Sequence, residues 1–490
     1  MSLSSPPQAP FPALIQTLQT IVGEAHVLIE SDSNDLVQYV RDWRGRERGV
    51  ALAVVRPNST QQVAAIVKAC AATPGVSIVP QGGNTGMVVG STPDASGTQI
   101  VLSLQRMNSV RKLDGGNGTI TLDAGCVLQN VQQVCFDAGY LFPLSLGSQG
   151  SCTIGGNLGT NAGGTQVVRF GNTRELCLGL EVVTAQGEIW SGLSGLRKDN
   201  TGYDLRDLFI GAEGTLGIIT GATMKMYPLP AAKLIAFAAL PSLDAAVTLL
   251  QLAQKHLSAG LTGFEIMGQF ALSLVGKHFP QQRVPFLGMA ISGVVPPFCV
   301  VLENSDQESE AHAKAQFERL LEEAMEAGHV LDAVVAENMT QAKQLWHIRE
   351  SIPLAQALEG LNIKHDISIP VSSIPEFVRV TDAKLAESFP GARLVNYGHL
   401  GDGNLHYNVQ APEGADQVAF LETQEPGVNE LVFDMVMQFQ GSISAEHGIG
   451  SLKVEKLPHY KSPVAIELMK TIKRALDPQN IMNPGRVVRV

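Results

Sequence analysis

Two histidines flank a strong turn signal in the segment YGHLGDGNLHYN, residues 397–408. The dipeptide Asp402-Gly403 favours a two-residue β-hairpin turn, which would place His399 directly opposite His406. Opposed side chains have Cβ atoms about 4.5–5.5 Å apart, so both imidazoles could bind one metal ion. Asn408 would point to the same face. The motif also fits an ordinary hairpin with two half-buried histidines.

A second segment, SAEHG at residues 444–448, adds a carboxylate and a third imidazole, those of Glu446 and His447. Two histidines and a glutamate are a common ligand set for a catalytic zinc ion that keeps one coordination position open. Neighbours in a regular strand face opposite ways, so Glu446 and His447 can serve one site only if the backbone turns there. Gly448 and Gly450 make such a turn feasible.

Glycine-rich loops point to a large phosphate-containing ligand. GGNTG at residues 82–86 follows a predicted strand, and glycine lets the backbone approach a pyrophosphate closely. The loop matches neither GxxxxGK[ST] nor GxGxxG, which argues against a nucleoside triphosphate or a Rossmann-bound NAD. Alone it also fits a plain turn. A second glycine-dense stretch, residues 146–171, indicates a cofactor with an extended diphosphate.

Length and composition bound the remaining possibilities. A chain of 490 residues predicts two or three domains. The net charge of −11 argues against nucleic acid and anionic membranes as partners, although a local basic pocket could still bind an anion. We expect neither a secretory signal nor a membrane span, since no apolar run approaches about 20 residues. Six cysteines without a CxxC pair predict reduced, buried thiols in a cytoplasmic protein.

Hydrophobic periodicity changes character after Pro228. Before it, short strands alternate with helices, and after it the pattern predicts an antiparallel sheet covered by helices. The predicted strands are 50–55, 76–79, 99–103 and 119–123, followed by 233–240, 261–267, 286–293, 298–303 and 330–337. The predicted helices include one opening at Ser59 with a capping pattern to Gln62, and others at 244–256, 309–327 and 463–476.

Several motifs together resemble a known flavoprotein superfamily. PQGGNTGMVVGS (80–91), GSCTIGGNLGTNAGG (150–164) and GAEGTLGIIT (211–220) are similar to the signature loops of the vanillyl-alcohol oxidase / p-cresol methylhydroxylase (PCMH) superfamily. GHLGDGNLH, SAEHGIG and the terminal NPGRV narrow the resemblance to FAD-linked D-2-hydroxyacid dehydrogenases. That family includes enzymes for D-2-hydroxyglutarate, D-lactate and glycolate, and the hydroxyglutarate enzymes are the nearest match.

The resemblance implies an α+β fold in three parts. They are a two-subdomain PCMH-type FAD-binding module at 46–228, an antiparallel-sheet α+β cap domain with the metal site at 229–455, and a C-terminal helical segment at 456–490 returning to the flavin. The implied FAD-binding residues are Gly82, Gly83, Asn84, Thr85, Gly86, Gly147, Ser148, Gly155, Gly156, Asn157, Asn161, Gly217, Ile218 and Asn483. No histidine lies in the 80–91 loop, and Cys152 is one residue out of step with the linking cysteine of some relatives, so we expect non-covalent FAD.

The resemblance also implies a reaction: oxidation of a D-2-hydroxyacid to the 2-oxoacid, with hydride passing to flavin N5. Zn²⁺ on His399, His406 and Glu446 would polarise the 2-hydroxyl, and His447 is the candidate base. The implied substrate-binding residues are Arg349, Lys364 and Asn408. Either cation alone also fits a surface charge. Pro353 stands where the hydroxyglutarate enzymes have a threonine, so D-2-hydroxyglutarate is favoured while D-malate and D-lactate remain open.

The expected partners are an electron-transferring flavoprotein or a quinone-linked carrier, and a homodimer is possible. Two other functions fit the flavin loops. One is a non-redox FAD-dependent transferase of the alkyl-dihydroxyacetone-phosphate synthase type, although those enzymes have a run of histidines where this chain has only Glu446-His447. The other is a flavin-binding subunit like that of glycolate oxidase, against which the complete metal and base set argues.

Overall fold

The computed structural model describes residues 11–30 and 36–490. The chain divides into two compact units. The first unit contains the chain up to Ala162 together with Asn172–Pro228 and Glu446–Val490, and the second contains Gly163–Gly171 and Leu229–Ala445. Both mix helices with sheets, which confirms the predicted α+β class. Every helix in the described ranges is too short or too polar to cross a bilayer.

The first unit contains a small, mostly parallel sheet. Its described strands, in spatial order, are Val27–Leu28, Ala51–Val55, Gln99–Ser103 and Ser77–Gln81. The crossover helix Thr60–Ala71 begins as predicted, because the Ser59 hydroxyl accepts the Gln62 N–H at 3.3 Å. Gln62 Oε1 in turn accepts the Asn58 N–H at 2.8 Å.

The first unit also contains a larger, antiparallel sheet. Its described strands, in spatial order, are Val110–Asp114, Thr119–Asp123, Gly217–Lys225, Cys177–Thr184 and Ile189–Gly192, and a separate pair joins Tyr140–Leu141 to Tyr227–Pro228. The described α-helices of the unit are Pro12–Val22, Val37–Val40, Thr60–Ala71, Leu128–Asp137, Ile154–Thr160, Thr173–Leu176, Arg206–Phe209, Leu457–Tyr460 and Pro463–Leu476.

The last helix, Pro463–Leu476, is held by a buried ion pair. Lys473 Nζ lies 2.5 Å from Asp477 Oδ2 and donates to the carbonyls of Thr215 and Met482, each at 2.8 Å. Burial lowers the pKa of Lys473, and Asp477 opposes that shift. A charge this deeply buried is tolerated only when it is paired and hydrogen-bonded. The pair therefore fixes where the chain goes after the helix.

The residues after that helix return to the strand Ser77–Gln81. The Ile78 N–H donates to the Ile481 carbonyl at 2.7 Å, and the Asn483 N–H donates to the Ile78 carbonyl at 2.8 Å. The C-terminal segment thus pairs with the strand that leads into the 82–86 loop. This pairing positions Asn483 beside the first glycine-rich loop.

The second unit is built on an eight-stranded antiparallel sheet, as counted over the described residues. The spatial order is Asp332–Val335, Ala232–Leu240, Phe298–Asp306, Leu261–Gly268, Arg393–His399, Asn404–Gln410 and Asn362–Ile363, with Asp366–Ser368 also pairing with Asn404–Gln410. Its described α-helices are Val167–Phe170, Leu243–Leu257, Gln269–His278, Glu310–Glu326, Met339–Glu359, Ile374–Ser388 and Gln417–Gln438. The predicted antiparallel sheet is confirmed.

One predicted strand of this sheet, 286–293, is wrong. The segment forms turns, with an isolated antiparallel bridge between Ile291 and Val294. Gly288, Ser292 and Gly293 have φ of 66°, 51° and 83°. Extended strands need negative φ, so these residues interrupt the apolar run.

The helix Met339–Glu359 packs on the sheet through a fully apolar cluster. Ile348 and Ile352 are buried against Phe237, Val301 and Val395 of three strands. A buried aliphatic or aromatic side chain contributes roughly 1.5–3 kcal/mol to stability, so this contact fixes the helix on the sheet. Arg349 lies at helical spacing from the buried residues Leu345, Ile352 and Gln356, so it is buried on the same face of the helix.

Candidate active site

The hairpin that carries both histidines has a longer loop than predicted. Tyr397 pairs with His406 and His399 pairs with Asn404, so the predicted pairing of His399 with His406 is wrong. The loop is residues 400–403, and of these four only Gly403 has a positive φ, 86°. A Cβ on Gly401 would lie 2.8 Å from Val168 Cγ2. Packing of the loop against this distant segment overrides the local turn preference of Asp-Gly.

The two imidazoles nevertheless come together. The register differs from the predicted one by two residues, and side chains in a strand alternate with a period of two, so both rings stay on one face. The centroids of the His399 and His406 rings are 5.4 Å apart, and the rings are nearly perpendicular. The prediction of a paired-histidine face therefore survives the error in register.

A buried carboxylate that the sequence analysis missed organises this face. Glu265 lies opposite His399 in the neighbouring strand, and its Oε1 is 2.6 Å from His399 Nδ1. Its Oε2 accepts a hydrogen bond from Arg349 Nε at 2.9 Å. Burial raises the pKa of Glu265, but its electrostatic interactions and hydrogen bonds with His399 and Arg349 outweigh burial and hold the pKa below its usual value. A lone acid in the apolar strand LTGFEIMG was the available signal.

Arg349 is therefore an interior cation, not a surface charge. Its side chain is 8% exposed, and its guanidinium lies 4.8 Å from the centre of the Tyr397 ring. Burying an arginine is costly unless an acid and further contacts compensate, and Glu265 and Tyr397 do so here. The helix Met339–Glu359 thus presents a positive group beside the histidine pair.

The strand edge next to His406 carries a second buried acid, Asp366. Asp366 lies opposite His406, and its Oδ1 accepts Asn404 Nδ2 at 2.9 Å. Its carbonyl accepts the Ala445 N–H at 3.2 Å. Since Glu446 follows Ala445 directly in the chain, this bond fixes the point from which the chain enters the Glu446-His447 segment.

Asn408 and Lys364 belong to the same strand edge. The Asn408 side chain is buried; its Oδ1 accepts the His365 N–H at 3.1 Å and its Nδ2 donates to Gln356 Oε1 at 3.0 Å. Lys364, half-buried, immediately precedes His365. A hydrogen bond therefore links the Asn408 side chain to the backbone of the residue that follows Lys364.

Glu446 and His447 lie in the first unit, outside any strand. Glu446 Oε1 is 3.9 Å from His447 Nε2. Gly448 and Gly450 have φ of 84° and 52°, a left-handed conformation that favours glycine. The backbone turns here, as the use of both side chains in one site requires.

The glycines of the predicted cofactor loops include some that are tightly packed and others that face open space. A Cβ on Gly82 would lie 2.2 Å from Thr153 Oγ1, and one on Gly83 would lie 2.0 Å from the Ser151 carbonyl. These two glycines let the two loops pack against each other. A Cβ on Gly86, Gly147 or Gly159 would meet nothing within 4 Å, so a ligand can approach the backbone at these three positions.

The side chains assigned to the cofactor also differ in how they are used. Asn84 bonds to the carbonyls of Gln38 and Arg41, and Asn161 Oδ1 caps the Arg174 N–H, so both serve the fold. The remaining assigned residues lie in the same unit: Thr85, Ser148, Gly155, Gly156, Gly217 and Ile218. Gly155 and Gly217 are packed tightly against neighbouring chain, and Ile218 is buried in its strand.

Two buried amide atoms in this unit fit a polar cofactor. Asn157 Nδ2 and Asn483 Oδ1 are buried and have no hydrogen-bonding oxygen or nitrogen within the described residues. Asn157 lies beside the Cys152 thiol, a weak partner. Asn483 is held in place by bonds from its Nδ2 to the carbonyls of Gly90 and Glu213. Buried polar atoms are rarely left unsatisfied, so a ligand that bonds to both suits this unit.

Known families match both units of the chain. The description "FAD binding domain" matches residues 51–192, and "FAD linked oxidases, C-terminal domain" matches residues 229–487. The chain belongs to the FAD-linked oxidase family. The match confirms FAD as the cofactor class and the protein as an oxidoreductase.

Individual relatives agree with this assignment. The chain is 38% identical to a probable mitochondrial D-2-hydroxyglutarate dehydrogenase of Oryza sativa subsp. japonica, over 97% of this chain and 81% of the relative. It is 38% identical to a D-2-hydroxyglutarate dehydrogenase of Xanthomonas citri pv. viticola, over 94% of each. The structure of p-cresol methylhydroxylase with substrate bound superposes with a TM-score of 0.76 at 17% identity, covering 98% of this chain and 97% of that one. This likeness confirms the PCMH-type fold.

Proposed function

We propose that this oxidoreductase is an FAD-dependent dehydrogenase that oxidises a D-2-hydroxyacid to the 2-oxoacid. The observation that carries the proposal is the buried contact of Glu265 with both His399 and Arg349. This contact holds an imidazole, which can bind a metal ion, beside a guanidinium, which can bind a carboxylate. The names of the relatives, both D-2-hydroxyglutarate dehydrogenases, support the same substrate class.

For the metal, we propose His399, His406 and Glu446 as ligands of a divalent ion, with Zn²⁺ the best match to this donor set. Glu265 bonds to His399 Nδ1 and thereby orients the ring, an arrangement typical of zinc-binding histidines. When bound, the ion supplies Lewis acidity that lowers the pKa of the substrate hydroxyl. His447 receives the proton of that hydroxyl, since imidazole titrates near neutral pH.

For the substrate, we propose that Arg349, Lys364 and Asn408 bind the carboxylates. Glu265 occupies Arg349 Nε, so a carboxylate would bind the guanidinium through its Nη nitrogens. Two cations suit a dicarboxylic acid such as D-2-hydroxyglutarate or D-malate better than D-lactate. Pro353 lies inside the helix Met339–Glu359 and offers no hydroxyl, which costs roughly 0.5–1.5 kcal/mol against the hydroxyglutarate enzymes. An added ion pair with the buried Arg349 would outweigh that loss.

For the flavin, we propose non-covalent attachment through Asn157, Asn483 and the open glycines. When bound, FAD would supply the acceptor for the hydride equivalent that leaves the substrate. Cys152 is buried, and burial raises the pKa of its thiol, which disfavours the nucleophilic thiolate. Acid precipitation should release all yellow colour into the supernatant, and colour retained in the pellet would contradict the proposal.

Two further proposals concern the protein's surroundings. An electron-transferring flavoprotein or a quinone-linked carrier would take up the electrons from the reduced flavin. We also propose a reducing compartment, the cytoplasm. All six cysteines are buried and free, which supports that environment.

The transferase and subunit alternatives have less support. The two relatives described above cover nearly the whole chain and are named dehydrogenases, and Glu446-His447 is a single pair instead of a run of histidines. A non-redox transferase would not reduce its flavin with a hydroxyacid, and a non-catalytic subunit would not do so alone.

Anaerobic mixing of the purified protein with D- and L-2-hydroxyacids tests the proposal directly. We expect D-2-hydroxyglutarate or D-malate to bleach the visible flavin band, D-lactate to do so more slowly, and L-acids to have no effect. A flavin that stays oxidised with every D-acid would reject the proposed function.

A further inference from the structure

One carboxylate from the 211–220 loop holds the segment that follows His447. Glu213 Oε1 accepts the Ile449 N–H at 2.7 Å, and Glu213 Oε2 accepts the Gly450 N–H at 2.8 Å. Both oxygens of one side chain are thus used on two successive backbone amides. Burial raises the pKa of Glu213, and the two amide donors oppose that shift. Because both side-chain oxygens accept a backbone N–H, the contact fixes the backbone two residues after His447.

The backbone of Glu213 is itself fixed. Its N–H donates to the Gly159 carbonyl at 2.8 Å, and its carbonyl accepts Asn483 Nδ2 at 2.7 Å. Its φ is 52°, a left-handed value uncommon for a residue other than glycine. Such a conformation persists only where the surroundings enforce it, and it is often found at functional sites.

Two glycines leave room for the carboxylate. A Cβ on Gly448 would lie 2.6 Å from Glu213 Oε1, and a Cβ on Gly90 would lie 3.1 Å from Oε2. The Ser451 N–H donates to the Val88 carbonyl at 3.1 Å, which holds the same segment at a second point. The Glu446-His447 turn is therefore anchored to residues of the flavin loops, all within the first unit.

We propose that Glu213 is a positioning residue for catalysis. Its carboxylate holds residues 449–450 and thereby sets His447 in register with Gly159 and Asn483, two residues of the flavin-binding set. This inference rests on the proposed function, because it assigns His447 the role of base. A misplacement of about 1 Å at a reacting group can cost about a hundredfold in rate, so the anchor has a measurable kinetic effect.

Glu213→Gln tests the proposal, since the amide keeps the shape but turns one acceptor into a donor that faces a backbone N–H. The matched control is Glu188→Gln, the same change at a side chain that is 73% exposed. We expect Glu213→Gln to retain FAD, to exchange its Ile449 and Gly450 amide hydrogens faster, and to slow flavin reduction by about tenfold to a hundredfold. The pH profile of that rate should shift while KM changes little. Glu188→Gln should behave like wild type.

Three outcomes would overturn the proposal. The first is wild-type exchange at Ile449 and Gly450 in Glu213→Gln. The second is an unchanged reduction rate and pH profile per bound FAD. The third is loss of FAD from both Glu213→Gln and Glu213→Asp, which would assign Glu213 to cofactor binding. If wild-type flavin is not reduced by any hydroxyacid, the proposed function fails, and the exchange data alone then decide whether Glu213 anchors the segment.

Discussion

Two glutamates of the second unit, each with a buried side chain, bond to the same kinds of residue but lie in different surroundings. Glu265 contacts a histidine and an arginine, His399 and Arg349. Glu359 also contacts a histidine and an arginine, His278 and Arg393, and in addition Lys277.

The difference lies in what surrounds each cluster. Glu265 lies within the sheet and is 1% exposed. The strand of His399, which pairs with that of Glu265, pairs in turn with the strand of His406, and His406 lies opposite Asp366. Glu359 ends the helix Met339–Glu359, where an acid is unfavourable beside the negative end of the helix dipole, and the side chain of Lys277 is 61% exposed. The contacts of Glu359 suffice to stabilise a helix end. Those of Glu265 orient His399 and Arg349, and the His399 ring lies 5.4 Å from that of His406. A His–carboxylate–Arg trio therefore becomes informative only through its neighbours.

The largest expected effect distinguishes His406, beside the Glu265 cluster, from His278 in the Glu359 cluster. If the proposed zinc site is right, His406→Ala should abolish stoichiometric zinc binding and reduce turnover by about a thousandfold or more, because the ion would supply several kcal/mol of transition-state stabilisation. FAD should stay bound, since its residues belong to the first unit. His278→Ala is the control, and it should retain metal and activity. Elemental analysis and steady-state rates check both variants, and an active wild-type protein without a stoichiometric divalent metal would refute the assignment.

The loop of the paired-histidine hairpin shows what local sequence can predict. The period of two in a strand was enough to bring His399 and His406 to one face, even though the register was wrong by two residues. The loop length was not predictable, because it depends on Gly401 packing against Val168, more than two hundred residues away in the chain.

Long-range partners account for the other gaps. Glu265 was missed because its partners His399 and Arg349 are distant in sequence, and only its isolation in an apolar strand marked it. In the flavin loops, the motif did not distinguish Gly83, which packs on Ser151, from Gly86, which faces open space. The two glycines can be told apart only when the position of the second loop, which contains Ser151, is known.

The second prediction compares the two arginines. Arg349→Lys keeps a charge beside Glu265 but loses the planar, bidentate guanidinium. We expect kcat/KM for D-2-hydroxyglutarate to fall by about tenfold to a hundredfold, the cost of a charged hydrogen-bond pair, and kcat/KM for D-lactate to fall less. Arg393→Lys should leave both values near those of wild type. Equal losses on the two substrates, or a wild-type preference for D-lactate, would remove Arg349 from the specificity argument.

A third prediction compares the two acids as supports for a metal site. Glu265→Gln should weaken metal binding by about tenfold to a hundredfold, because the carboxylate orients His399 and raises its basicity. Glu359→Gln should leave metal affinity unchanged. Competition with a chromophoric chelator measures both variants. If the two variants released the metal equally, the contrast between the clusters would reflect general destabilisation instead of site geometry.

The smallest effect concerns stability and pH at Glu359. Burial raises the pKa of Glu359, but hydrogen bonds from Lys277, Arg393 and His278 outweigh it and lower the pKa to about 2. The unfolded chain binds a proton near the ordinary value of 4.5. The charged form therefore stabilises the fold above pH 4.5, and this stability is lost as pH falls from 4.5 toward 2.

We expect Glu359→Gln to be less stable than wild type by about 2 kcal/mol at pH 7, a figure reduced for the exposure of Lys277. The gap should stay constant down to about pH 4.5 and narrow below it, because the wild type then loses the same charge. Thermal melting at pH 7, 5, 4 and 3 measures the gap. If the stability difference is unchanged at pH 3, Glu359 acts through packing and neutral hydrogen bonds. Its cluster would then resemble that of Glu265 in arrangement but not in the role of the charge.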